Sequence, residues 1–224
     1  FPGLVMERTD PGFLERTLGR LPRGVIVVSG TNGKTTTTKM VVQLLREQGL
    51  KVFTNRTGSN FVRGVLASLL TEVDAAGNLD ADIAVLELDE AHAVHFVARV
   101  RPRACLLLNV MRDQLDRFGE IDYTASLLHS IAQATSDVVV LNGDDPRLAA
   151  PAFLEGVSAR VVSFGAGEDL RSLFLSDDDL RTGLVSPRQA GQAPGPRVTL
   201  EAIDGQRATV RVDGVSHEVD FARS

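Results

Sequence analysis

The stretch Val25-Ile-Val-Val-Ser-Gly-Thr-Asn-Gly-Lys-Thr-Thr-Thr-Thr38 constrains this chain more than any other. Val25 to Val28 are apolar and β-branched, which predicts a buried strand. Gly30 and Gly33 bracket a tight turn where the backbone must pass close to something. Lys34 and Thr35 follow at once, and Lys39-Met-Val-Val-Gln-Leu-Leu-Arg46 spaces its apolar residues as a helix does. Strand, glycine loop, Lys-Thr and helix together make an anion cradle. Loop amides and the helix N-terminus face a phosphate chain, Lys34 supplies a point charge, and the Thr35 hydroxyl is placed to ligate magnesium. The strict form of the pattern has a further glycine where this chain has Val28, so the loop is a shorter variant. A chance Gly-Lys-Thr would lack the flanking strand and helix. Thr35 to Thr38 are poor helix formers, so something other than propensity favours hydroxyls there.

The rest of the chain predicts a frame for this loop. Residues 1–22 read as a lead-in with one short helix, Phe13 to Leu18, among Pro2, Pro11, Gly12 and Pro22. After the loop helix, which ends at Gly49, strands are expected over Lys51–Thr54, Asp82–Leu88, Arg103–Asn109, Asp137–Leu141 and Arg160–Phe164. Helices are expected over Phe61–Val73, Glu90–Val100, Tyr123–Ala134 and, briefly, Pro146–Leu154. Six strands alternating with helices imply an α/β fold whose mostly parallel sheet is covered on both sides, with ligands at the C-terminal strand ends. The polar loops leave those ends: 29–34, 54–60, 87–90, 109–120 and 142–146. This organisation assigns residues 23–165 to one central domain. Residues 165–197 are rich in Gly, Asp, Gln and Pro and read as a linker. Beyond them Val198–Ile203, Ala208–Val212 and Ser216–Phe221, joined at Asp204-Gly205 and Asp213-Gly214, predict a small antiparallel β meander. Three strands cannot stand alone, so the meander must pack on the parallel domain or on something further.

Composition excludes several classes of function. A net charge of −5 gives no basic face for general nucleic-acid binding. No apolar run is long enough for a membrane span, and no secretory leader opens the chain, which begins at Phe1 as a fragment or trimmed form would. The single cysteine, Cys105, lies in an apolar run; it predicts a buried core residue, no internal disulfide and a reducing, cytoplasmic setting.

Among candidate site residues, Glu87 ends an apolar strand, the position from which a carboxylate reaches a magnesium held by Thr35; the alternative is a solvated loop acid. Asp89 and Glu90 read as the start of the next helix, where acids suit the dipole. His92 and His95 are three apart on that helix, but no third metal ligand follows at a sensible spacing, and His129 and His217 stand alone. Asn109–Glu120 is a polar loop after a buried strand; the alternative is an ordinary capping connection. In Asn142-Gly-Asp-Asp-Pro146 the asparagine amide could read adenine and a carboxylate, Asp145, could hold ribose hydroxyls; the alternative is a simple Asx-turn.

Taken in order, Gly30-Thr-Asn-Gly-Lys-Thr-Thr36, Glu87, Asn109-Val…Asp116-Arg117 and Asn142-Gly-Asp-Asp145 resemble the P-loop central domain of Mur ligases. The resemblance covers roughly residues 1–165. Thr54-Asn-Arg-Thr-Gly-Ser-Asn-Phe-Val-Arg-Gly64, Leu86-Glu-Leu-Asp-Glu-Ala91 and Arg112-Asp-Gln-Leu-Asp-Arg-Phe-Gly-Glu120 look like its MurT subfamily, the synthetase subunits of lipid II isoglutaminyl synthases. The resemblance implies ATP and magnesium as cofactors. Gly30, Thr31, Asn32, Gly33, Lys34, Thr35 and Thr36 would line the phosphates, Asn142 and Asp145 the nucleoside, Thr35 and Glu87 the magnesium, with Lys34 and Glu87 catalytic. It also implies a carboxylate activated as an acyl phosphate and attacked by ammonia from a GatD-like glutaminase partner. The acceptor would be the D-glutamate of lipid II at the cytoplasmic face of the membrane. Gln114 stands where many amino-acid-adding relatives have a magnesium-binding histidine, and helix Tyr123–Ala134 has no lysine to carbamylate. Both departures favour amidation over an amino-acid-adding Mur or folylpolyglutamate-type ligase; intact Lys34, Thr35 and Glu87 count against a non-catalytic nucleotide-binding module. Residues 165–224 lack the four cysteines of a zinc ribbon, so a zinc-free β insertion is expected. The family's C-terminal ligase domain is not matched, so the 224-residue chain alone is expected to be inactive.

Overall fold

The structure, a computed structural model, describes residues 2–55, 60–112, 120–183 and 197–220. The lead-in holds two helices where the sequence suggests one. α1 (Pro2–Thr9) precedes α2 (Phe13–Leu18). Pro2 opens α1, where its missing N–H leaves no bond unmade. Gly3 rests so close to the Arg63 carbonyl that a Cβ would lie 2.1 Å from it, so only glycine lets α1 pack there.

Next come β1 (Val25–Ser29), α3 (Lys34–Glu47), β2 (Val52–Thr54), α4 (Val62–Glu72), β3 (Ile83–Glu87), α5 (Glu90–Val97), β4 (Ala104–Leu107), α6 (Glu120–Ala134), β5 (Val138–Asn142) and β6 (Arg160–Ala166). The helix expected over Pro146–Leu154 is instead a series of turns and a 3-10 helix, Pro151–Leu154. The stretch expected to be a linker contains a second 3-10 helix, Glu168–Leu173, and α7 (Asp177–Thr182). Ser176 and Asp179 form a capping box on α7, a start signal that its acidic composition obscured.

β7 (Arg197–Asp204), β8 (Arg207–Val212) and β9 (Val215–Asp220) are the predicted meander, paired antiparallel. They are continuous with the main sheet: β7 runs parallel to β6, with Phe164 opposite Val198. The strand order is β2-β3-β1-β4-β5-β6-β7-β8-β9, parallel from β2 to β7.

This order explains the layering. Crossovers between parallel strands are right-handed. The step from β1 to β2 runs opposite to the later ones, so its helix, α3, lies on the other face. The large core on the first face joins α2, α4, α5 and α6 to Val27, Phe53, Leu86, Leu107 and Leu141. A smaller core under α3 joins Val42 to Val28, Val52, Ile83 and Val85. The expectation of full cover on both faces therefore needs correcting. Beyond α3, among the described residues, Leu106, Val140, Val162 and Phe164 are only partly buried. Cys105 is buried at the centre of the sheet, and burial pushes its thiol pKa up to about 12. No helix among the described residues is long and apolar enough to cross a membrane.

Candidate functional site

The loop between β1 and α3 sits where β3, β1 and β4 end together. Gly30 adopts φ 134°, and a Cβ there would lie 3.0 Å from the Asn109 nitrogen. Gly33, at φ 84°, caps α3 in a left-handed conformation. Asn109 pins the loop like a strand partner: its Oδ1 accepts the Asn32 N–H at 2.9 Å and its Nδ2 donates to the Asn32 carbonyl at 3.0 Å. The Thr31 N–H donates to the Asn109 carbonyl at 3.0 Å, and the Met111 N–H donates to Thr31 Oγ1 at 3.0 Å.

Lys34 Nζ donates to the carbonyls of Gly30 (2.6 Å) and Thr31 (3.1 Å) and lies 3.6 Å from Glu90 Oε2. Both charged side chains are mostly buried, 13% and 11% exposed. Glu90 is thus more than a helix-start acid; Asp89 does the capping, accepting the Ala91 N–H at 3.3 Å.

Thr35 Oγ1 donates to Glu87 Oε1 at 2.8 Å, and Glu87 is buried rather than a solvated loop acid. Adjacent oxygens around an octahedral magnesium are about 2.9 Å apart, given Mg–O bonds of roughly 2.05 Å. The Thr35–Glu87 pair therefore fits two neighbouring positions of such an ion. Thr36 is exposed on the first turn of α3, while Thr38 Oγ1 is buried with no hydrogen-bond partner among the described residues.

Two cavities flank the loop and share Met111. One, about 310 Å³, is lined by Asn142, Phe164, Phe174, Leu175 and Leu200; the other, about 510 Å³, by Thr31, Lys34, Glu90, Arg112 and Tyr123. At the first, Asn142 Oδ1 accepts the Asp144 N–H at 2.9 Å, so the Asx-turn is present and the Nδ2 end remains for a ligand. Asp145 is used differently from the ribose ligand expected of it. It is 5% exposed; Oδ2 accepts the Val110 N–H at 2.7 Å and Oδ1 accepts those of Arg147 (2.9 Å) and Leu148 (3.3 Å). It braces the loop after β5 against the loop after β4, and its burial raises its pKa. Asp177 reaches over from α7, accepting the Arg112 N–H at 3.0 Å.

The structure thus pairs Thr35 with Glu87, turns the Lys34 ammonium onto the glycine-loop carbonyls and Glu90, and sets Asn142 on a separate cavity beyond Met111. His92 lies away from both, its ring 5.9 Å from Phe61. Gln114, Asp116 and Arg117 lie outside the described residues, as do residues 56–59 of the loop after β2. Sequence reasoning misses the clamp by Asn109, the Lys34–Glu90 pair and the apolar cavity wall. Of these, only the placing of Asn109 at a strand end gave any signal.

Comparison with known proteins adds four findings. The family described as Mur ligase middle domain matches residues 28–192. The chain is 39% identical over 146 residues to subunit MurT of lipid II isoglutaminyl synthase (glutamine-hydrolyzing) from Streptococcus pneumoniae, covering 65% of this chain and 32% of that protein. It is 33% identical over 178 residues to UDP-N-acetylmuramoylalanine–D-glutamate ligase from Desulfotalea psychrophila, covering 77% of this chain and 34% of that one. The matched segment is about a third of either relative. The fold is similar to MurF ligase from Thermotoga maritima in complex with ADP, with a TM-score of 0.67 at 20% identity, covering 94% of this chain and 44% of that chain.

Proposed function

The chain belongs to the Mur ligase family, and on that premise we propose that it forms the ATP-binding part of a carbon–nitrogen ligase of peptidoglycan synthesis. The reaction proposed is amidation of the D-glutamate α-carboxylate of lipid II to D-isoglutamine, at the cytoplasmic face of the membrane. The observation that supports the nucleotide reading is the glycine loop itself, with the Lys34 ammonium on its carbonyls and the Thr35–Glu87 pair at the first turn of α3 beside it. The base would occupy the Asn142 cavity, the phosphates the loop, and the acceptor the cavity beside Glu90.

A carboxylate is a poor electrophile. The carboxylate oxygen takes the γ-phosphoryl group as its bond to the β-phosphate oxygen breaks and ADP leaves, giving an acyl phosphate; ammonia then forms the C–N bond and gives up a proton, the C–O bond to phosphate breaks, and inorganic phosphate leaves. Little covalent chemistry falls to the protein, which positions the groups and neutralises charge. Lys34 would exchange its loop carbonyls for phosphate oxygens. Thr35 and Glu87 would hold magnesium, which when bound adds positive charge at the transferring group.

Amidation is favoured by the likeness to a MurT subunit, by Gln114 and by the absence of lysine from α6. Glutamine hydrolysis is assigned to a GatD-like partner. The buried Cys105 thiol, with its pKa pushed up to about 12, is unsuited to be the nucleophile of a glutaminase. The test supplies the intact protein and a glutaminase with ATP and amide-labelled glutamine, and follows the label into lipid II. Label in lipid II supports the reading; ATP use without transfer of nitrogen sinks it. The 77% coverage by a D-glutamate-adding ligase favours one second reading, amino-acid addition. Replacing glutamine by D-glutamate in the same assay, and seeing a longer peptide, would select it.

A further inference from the structure

We propose that Asn55 is a positioning residue for the magnesium acid: its carboxamide fixes the main chain of Glu87 and thereby aims the Glu87 carboxylate at Thr35. The inference rests on the nucleotide–magnesium reading above.

β2 is an edge strand that ends at Thr54, opposite Val85, while β3 runs two residues further to Glu87. On its other side β3 still has β1, and the Leu88 N–H donates to the Val28 carbonyl at 3.1 Å. Successive residues of a strand direct their peptide groups to opposite sides, so those of Glu87 point to where β2 has stopped. Asn55, the first residue past β2, fills that gap with its side chain. The Glu87 N–H donates to Asn55 Oδ1 at 2.9 Å, and Asn55 Nδ2 donates to the Glu87 carbonyl at 2.8 Å.

A carboxamide carries the same acceptor and donor as a peptide group, so Asn55 acts as a one-residue extension of the edge strand. It is 7% exposed and Glu87 is 8% exposed, so water is a poor substitute. Aspartate has no donor for the Glu87 carbonyl, and glutamine adds a methylene. The next residues are held too: Ser29 Oγ donates to the Leu88 carbonyl at 2.9 Å, and the Asp89 N–H donates to the Asn60 carbonyl at 3.0 Å. With its backbone fixed, Glu87 has only side-chain torsions left to set, and these bring Oε1 to 2.8 Å from Thr35 Oγ1. Asn109 makes the same bidentate clamp on Asn32, which provides a control at the neighbouring loop.

The test measures ADP binding to the intact protein by calorimetry, in chelator and in saturating magnesium, for Asn55→Ala, Asn55→Asp, Glu87→Gln and the Asn55→Ala/Glu87→Gln double variant. Melting curves accompany each. In the Asn55 variants metal-free affinity should stay within about twofold, while the gain on adding magnesium shrinks by about tenfold. The double variant should lose no more of that gain than Glu87→Gln alone, because Asn55 acts through Glu87. Asn109→Ala should instead lower the metal-free affinity. A full magnesium gain in a folded Asn55 variant, additive losses in the double variant, or failure of both Asn55 variants to fold would overturn the proposal. No magnesium-dependent binding by the unaltered protein would remove the reading beneath it, a result visible without any variant.

Discussion

The two ends of the proposed nucleotide site, one for phosphate and one for base, are both loops leaving parallel strands, yet they use polar side chains in opposite ways. At β1 and β3 the backbone is held by carboxamides, Asn109 and Asn55, which leaves Thr35 and Glu87 paired side chain to side chain and the Lys34 ammonium on the loop carbonyls beside Glu90. At β5 the acids are committed to backbone: Asp145 to three amides, and Asp144 Oδ2 to the Ala166 N–H at 2.6 Å. The cavity there has an apolar wall, Phe164, Phe174, Leu175 and Leu200, with Asn142, Asp144, Asp145 and Asp177 also on its lining. One end suits charged oxygens and the other a flat, uncharged ring. A carboxylate at a strand end is therefore not a ligand by position alone; its existing partners decide.

The sharpest way to break this contrast is Lys34→Ala. It should reduce ATP turnover of the intact protein by roughly a hundredfold or more while leaving a cooperative melting transition, because among the described residues the polar partners of Lys34 Nζ are its own loop and Glu90. Calorimetry with an ATP analogue alongside a melting curve checks it; unchanged affinity would remove Lys34 from the phosphate site.

Asp145→Ala should do the reverse. Three backbone donors lose their acceptor, which should cost roughly 3 kcal/mol of stability. Nucleotide affinity should change only as far as the fold loosens. Burial raises the Asp145 pKa, so its titration contributes stability that is complete below the ordinary carboxylate value and lost as pH rises through the raised one. The gap in stability between native protein and variant should therefore widen from pH 7 toward about pH 4. Denaturant unfolding at the two pH values reads this, and a narrowing gap would mean that the amides outweigh burial.

Glu87→Gln removes one charge and keeps the shape. It should weaken magnesium-dependent turnover by about tenfold and leave metal-free nucleotide affinity nearly intact. A magnesium titration of the rate decides it. The smallest effect is expected of Asn142→Ala, about fivefold in the preference for ATP over GTP, one hydrogen bond's worth. A loss as large as that of Lys34→Ala would erase the distinction between the two ends.

Much of this was legible in the sequence. The apolar runs of β1, β3, β4 and β5 and the glycines of the loop carry their structural reasons on their faces. Lys34, Thr35 and Glu87 stand out in the sequence because their chemistry and their strand-end positions coincide. The clamps made by Asn55 and Asn109 were not legible, since a bidentate clamp depends on where a neighbouring strand or loop stands in space, which no local pattern records. The bracing role of Asp145 was not legible for a related reason: the Val110 amide it accepts lies 35 positions away in the chain. α1 was missed because prolines suggested irregular chain, although Pro2 stands where a helix tolerates it. The continuity of β6 with β7 was hidden by the intervening residues, whose composition suggested separation.

Cys105 has a consequence for how the molecule can be watched. It is the only cysteine in the chain, on a strand between β1 and β5, shut away from solvent and with its thiolate disfavoured. An alkylating reagent near pH 8 can reach it only when the middle of the sheet comes apart, so the labelling rate keeps time for whole-molecule opening and ignores fraying at the rim. Any ligand that grips the ends of β1 and β3 should slow that clock, with no dye and no engineered residue.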